Sequence, residues 1–221
     1  MSEHDNQKFI DGIWYEEQYG TEGSRYSNIY NKPIPAWARD ANDFHARFVQ
    51  AFFLLDKFAT VLDLGSGTGR QLDAWASTGD FLLRGVEISK EAVKRSSWAH
   101  RIKNRSAADL SCFKDGQFYL AHSNAFFEHV APEITTQVLR ESMRVARYGA
   151  HWIPMEKGDD PSHIHIQSRE AWIEEILAAL GKGFVVGCAE NPVDDTQPLF
   201  VITREGDEPW PVTRVPTFKL G

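Results

Sequence analysis

The stretch VLDLGSGTGR, residues 61–70, places three glycines at alternate positions directly behind a short apolar run that carries one acid, Asp63. Thr60–Leu64 reads as a buried strand, and the sequence after the glycines reads as a helix through about Ser77. Gly65, Gly67 and Gly69 free the backbone to turn sharply and let a ligand approach without Cβ interference. The following helix aims its N-terminal amides and positive dipole end at whatever lies there. The spacing is G-x-G-x-G. Counted from Gly65, a dinucleotide fingerprint has its third glycine at position 70, which is Arg70. A carboxylate at the mouth of a diphosphate site repels the ligand. Asp63 instead suits a ligand carrying a cationic amino group, with that ligand's own carboxylate met by backbone amides. An amino-acid-bearing sulfonium nucleoside fits this better than a dinucleotide.

Glu87 ends the run FLLRGVE, about 20 residues past the glycines, where an acid accepts both ribose hydroxyls in nucleoside-binding α/β folds. Around these two markers, strand and helix alternate. Further strands are expected at Phe81–Val86, near Ile102–Ala107, and at Phe118–Ser123, Ala150–Met155, Phe184–Cys188 and Leu199–Thr203. Ser89 caps one helix with Glu91 in its first turn, Pro132 opens another, and Ser168 starts a third that Gly181 stops. This pattern implies an α/β fold with a doubly wound, mostly parallel, seven-stranded sheet and right-handed crossovers. Ligands in such sheets bind at the carboxyl ends of the strands.

Three segments are expected. Residues 1–58 form a helical and aromatic cap with a lead-in helix. Its apolar face is read from Trp37, Ala41, Phe44, Phe48, Phe52 and Leu55. Residues 59–204 form the ligand-binding domain, and residues 205–221 an extended tail with three prolines. Over the 221 residues, 42% are hydrophobic and 25% charged, as in a globular protein. A net charge of −7 argues against a surface built for nucleic acid, although Lys94, Arg95, Arg101, Lys103 and Arg105 form a local basic cluster. Cys112 and Cys188 have no metal-ligand or CxxC spacing and are expected as free thiols in a reducing, cytoplasmic setting. The polar start MSEHDNQKF is not expected to be a signal peptide, and no membrane span is expected.

With VLDLGSGTG as first motif and GVEIS as second, the chain resembles the class I S-adenosylmethionine-dependent methyltransferases, whose domain is Rossmann-like. FYLAHSNAFFEHV (118–130), LRESMRVARYGAHWIP (139–154) and FVITR (200–204) are similar to later segments of that family, the last as its antiparallel strand. The resemblance covers about 60–204. It implies S-adenosylmethionine as cofactor and S-adenosylhomocysteine as product. By resemblance, Ser66 belongs to the cofactor loop, Ile88 lies beside Glu87 at the cofactor, and Asp109 in SAADL meets the adenine amino group. Two departures stand out. Tyr119 follows Phe118 where an acid is common, and R-Y-G-A at 147–150 stands where a Pro-Gly-Gly turn is usual.

On the acceptor side, His163 and His129 are the candidate bases, in DDPSHIHIQS and FFEHV. Asn124 ends the fourth strand beside the methyl position, and Tyr19 in the aromatic cap is a candidate cation–π contact for the sulfonium. His163-x-His165 with Asp159 and Asp160 is short for a metal site, and none is expected from it. The expected activity is O- or N-methylation of a small acceptor, a metabolite or glycan precursor. The alternatives are an RNA or protein methyltransferase using the basic cluster and a non-catalytic cofactor-binding protein. The oligomeric state has no sequence signal.

Overall fold

A computed structural model describes residues 36–156, 158, 162–209 and 216–220. The aromatic segment before residue 36, Tyr19 included, lies outside the described residues, as do Asp159 and Asp160. The element order is α1 (Ala36–Phe52), β1 (Thr60–Leu64), α2 (Arg70–Thr78), β2 (Leu82–Glu87), α3 (Lys90–Arg95), β3 (Ile102–Asn104), β4 (Phe118–Asn124), α4 (Pro132–Val145), β5 (Ala146–Trp152), α5 (Arg169–Leu180), β6 (Phe184–Ala189), β7 (Leu199–Arg204) and β8 (Thr217–Phe218).

The strands form one sheet in the order β3-β2-β1-β4-β5-β7-β6-β8. The first five are parallel, and β7 runs antiparallel to both β5 and β6. The seven expected strands are present. The tail adds a two-residue eighth on β6, through Val186↔Phe218 and Gly187↔Thr217. The strand order reverses at β1, between β2 and β4, so the glycine loop after β1 lies at the switch point where open α/β sheets bind ligands.

Local chemistry fixes the helix starts. Ser89 Oγ accepts from Ala92 N at 3.1 Å, with Glu91 in the first turn. Ser168 does the same for α5 through Ala171 N, and Pro132 occupies the first turn of α4. Gly181, at φ +79, stops α5. Each face of the sheet is buried by its own core. Leu62, Leu64, Val138, Leu139, Trp172 and Ile176 belong to one, under α4 and α5. Val49, Phe53, Val61, Leu72, Trp75 and Trp152 belong to the other, under α1 and α2. Each large apolar side chain so buried contributes about 1.5–3 kcal/mol.

Two expectations are corrected. The strand expected at Ala150–Met155 starts at Ala146, and R-Y-G-A is part of it instead of a turn. Helix α4 passes straight into β5, its C-cap Ala146 N bonding Ser142 O. Pairing with β4 then runs from Phe118↔Ala146 to Asn124↔Trp152. Tyr148 is buried against Phe53 and Tyr119. On α1, the fully buried positions are His45, Ala46 and Val49, continued by Phe53, while Phe44, Phe48 and Phe52 are only half-buried beside them. The helix is rotated because His45 stacks on Trp152, with ring centroids 4.4 Å apart, and faces Asn191 Nδ2 at 3.3 Å.

His45 and His151 give the fold an acid weakness. Burial lowers the His45 pKa from 6.5 to about 4 and that of His151 from 6.5 to about 3, with repulsion from His122 second in both. Both stay neutral in the folded chain while the unfolded chain takes up protons near 6.5. Their contribution is therefore complete above that pH and is lost as pH falls towards 4 and 3, at up to about 1.4 kcal/mol per pH unit for each histidine. Thermal melts of His151→Phe are expected to fall less steeply than wild type between pH 6.5 and 4.5. Parallel curves would contradict this.

Candidate active site

Three strand ends converge on the glycine loop. Gly65, Gly67 and Gly69 have φ of +69°, +52° and +89°, a region that side-chain-bearing residues enter only with strain. Ser66 N donates to Val86 O at 3.0 Å and Ser66 Oγ to Asp63 O at 2.9 Å, tying the loop to both parent strands. Gly69 caps α2. Phe126 closes the loop's far side. A Cβ on Gly65 would lie 2.3 Å from its ring. Ala125 presents that ring from a left-handed conformation, φ +50°, held by Ala125 N to Trp152 O at 3.1 Å.

Asp63 is 2% exposed. In register across β1 and β4 it faces His122, whose Nδ1 lies 3.3 Å from Asp63 Oδ1. Among the described residues Asp63 Oδ2 is buried with no hydrogen-bond partner. A buried carboxylate oxygen with open acceptor capacity calls for a donor. Glu87 Oε2 accepts from Gly67 N at 2.8 Å and Oε1 from Ser89 N at 2.7 Å, so the second acid braces the loop. Asn104 Nδ2 donates to the carbonyls of Glu87 and Ile88, fixing this corner. Asp109 is exposed on the next loop. The hydroxyl and amide of Ser111, then Arg105, hold its pKa below the usual carboxylate value.

Asn124 belongs to a cluster that the sequence did not signal. Its Nδ2 donates to Asn42 Oδ1 (3.0 Å) and Gln71 Oε1 (3.2 Å), and its Oδ1 accepts from Gln197 Nε2 (2.8 Å). Four side-chain amides from α1, α2, β4 and the segment before β7 thus meet at the end of β4. His122 was also missed. It lies directly opposite Asp63 on β4, and the order of the strands would have found it.

His129 and His163, expected as separate candidates, come together with ring centroids 5.0 Å apart. His163 and His165 diverge instead. His165 is buried, with Nδ1 3.2 Å from Thr135 Oγ1 and Nε2 3.1 Å from Glu175 Oε2. The basic cluster is partly neutralised, as Arg95 pairs with Glu91 at 2.6 Å and Arg105 with Asp109 at 3.5 Å.

Residues 62–153 match the family model described as "Methyltransferase domain". Nothing among curated proteins matches the chain. Among solved structures, the chain is similar to the [4+2]-cyclase SpnF (22% identity, TM-score 0.56, 71% of this chain and 61% of that one). It is also similar to an Anabaena variabilis protein described as a putative methyltransferase from an antibiotic biosynthesis pathway (13%, 0.53, 66% and 64%). A third is the 1,6-didemethyltoxoflavin-N1-methyltransferase of Burkholderia thailandensis, solved with 1,6-didemethyltoxoflavin and S-adenosylhomocysteine (15%, 0.61, 94% and 92%). The chain therefore spans somewhat less than two thirds of the first two. The family-model match spans β1 to β5, less than half of the chain, and the likenesses to solved structures give the fold. The open Asp63 oxygen, the loop and Glu87 have the chemistry to fit S-adenosylmethionine.

Among the described residues no helix is long and apolar enough to cross a membrane.

Proposed function

We propose that the chain methylates an oxygen or nitrogen of a small acceptor, a metabolite or glycan precursor. The observation that carries this is the buried Asp63 carboxylate, with one oxygen open, beside the bare amides of the glycine loop. Bound there, S-adenosylmethionine supplies a methyl group on a cationic sulfur. Asp63 takes the amino group, the amides of Gly65, Ser66, Gly67 and Gly69 take the carboxylate, Glu87 takes the ribose diol beside Ile88, and Asp109 takes the adenine amine. Asn124 and its amide partners close the methyl end. His163, beside His129, accepts the acceptor's proton. Alignment and exclusion of water supply about 7–11 kcal/mol of the barrier, and a positioned base about 10²–10⁴-fold in rate.

The small acceptor is favoured by the acidic net charge, by the partly neutralised basic cluster and by the small molecule bound in the Burkholderia structure. The free thiols Cys112 and Cys188 fit a reducing cytoplasm. The SpnF likeness favours a second reading, since that protein is described as a cyclase: cofactor binding without methyl transfer.

Methyl transfer across a panel of small hydroxyl and amine acceptors separates the readings. Turnover indifferent to salt supports the proposal, steeply salt-dependent action on RNA supports the macromolecular alternative, and cofactor binding with no transfer supports the second reading. With a productive acceptor, His163→Gln is expected to lower kcat by about 10²-fold or more and leave cofactor affinity unchanged. Wild-type turnover would remove His163 from the mechanism.

A further inference from the structure

The cluster around His129 has the composition of a metal site. Glu128 and His129 lie on the 3-10 turn after β4 (Phe127–His129), and His163 on the segment after β5. A carboxylate oxygen of Glu128 and one ring nitrogen from each histidine all lie within 4.8 Å of one another. We propose that these three residues bind a late first-row divalent metal ion such as Zn²⁺.

The imidazole of His129 is already oriented for this. Its Nδ1 lies 3.2 Å from the Ser162 carbonyl oxygen and 3.0 Å from Ser162 Oγ. In the tautomer that donates from Nδ1 to this carbonyl, the lone pair falls on Nε2, the nitrogen 3.7 Å from Glu128 Oε1. Metal-ligating histidines are held in the same way, the far N–H donated to a carbonyl that fixes tautomer and ring plane. The two segments are also pinned together. The Glu128 carbonyl accepts from Ile164 N at 2.9 Å and His165 N at 3.1 Å, which sets His163 beside the turn.

Glu128 is 0% exposed, so its carboxylate is held in place by the fold. Two imidazoles and one carboxylate suit Zn²⁺, Co²⁺ or Ni²⁺, whereas Mg²⁺ and Ca²⁺ prefer all-oxygen shells. Donors at about 2.0–2.2 Å around a tetrahedral ion stand roughly 3.4 Å apart, so closure takes side-chain rotation without backbone movement. Three protein donors leave a fourth position for water or a ligand oxygen. His165, bound to Thr135 and Glu175, is no part of the set, so the site differs from the H-x-H pair in the sequence.

The proposal goes beyond methyl transfer and stands without it, although a bound ion would occupy the nitrogen that His163 needs as a base. Its test uses the full chain, stripped with a chelator and titrated with Co²⁺ alone, without cofactor or acceptor. Wild type is expected to develop visible Co²⁺ absorption with a one-to-one endpoint that Zn²⁺ displaces. His129→Gln and His163→Gln should each weaken binding at least about tenfold, while His100→Gln, an exposed histidine outside the cluster, should match wild type. Zn²⁺ should raise the Tm of wild type and leave that of His163→Gln unchanged, which also verifies that the variant is folded. No one-to-one binding by wild type, or wild-type titration curves for both cluster variants, would overturn the site.

Discussion

Asp63→Ala and Glu87→Ala are each expected to weaken S-adenosylhomocysteine binding by about 10- to 100-fold, the loss of a charge-assisted hydrogen bond of about 1.5–3 kcal/mol. The product retains the amino group, carboxylate and ribose that these residues address, so it reports their contribution without turnover. The two variants should differ in stability. Removing Asp63 strands the buried His122 Nδ1, at a cost of about 1–3 kcal/mol. Asp63→Asn keeps an acceptor for His122 and removes only the charge, so it should bind as poorly as Asp63→Ala and unfold closer to wild type. Glu87→Ala releases Gly67 N and Ser89 N from part-buried hydrogen bonds and should act mainly on binding. Unchanged calorimetric affinity in both alanine variants would remove the site assignment.

Gly65→Ala is expected to destabilise the fold by about 2–5 kcal/mol and to reduce cofactor affinity at least tenfold. Two effects add. The left-handed backbone, φ +69°, costs an L-residue about 1–2 kcal/mol. The new Cβ, 2.3 Å from Phe126 Cδ2, forces that ring away, at about 1–3 kcal/mol for an overpacked contact. Gly116→Ala separates the two. Gly116 has φ +61° and nothing within 4 Å of an added Cβ, so it should lose only the backbone part. Urea denaturation of both variants decides it. Equal losses would show that Phe126 yields without cost and does not shape the loop.

Much of this was legible in the sequence because it is local. The glycine spacing, Glu87 at a strand end, Ser89 and Ser168 as caps and Pro132 as an opener act within a few residues of themselves, and the structure has each in place. What escaped depends on partners far along the chain. Helix α1 carries an aromatic stripe, yet His45 turns it by stacking on Trp152. The extent of β5 follows from its register with β4, where R-Y-G-A pairs as strand instead of turning. Asn42, Gln71, Asn124 and Gln197 have no common spacing and meet only when α1, α2, β4 and the approach to β7 are assembled. His129 and His163 looked like two separate bases until the Glu128 carbonyl brought their segments together.

The central claim is that the site after β1 takes a sulfonium nucleoside bearing an amino acid and refuses a pyrophosphate. Calorimetric titration of the wild-type chain with S-adenosylmethionine, S-adenosylhomocysteine and NAD⁺ tests it most directly. One-to-one binding of the first two and none of the third is the expected result. Binding of NAD⁺ in competition with S-adenosylhomocysteine, or no binding of either adenosyl compound, would contradict the claim.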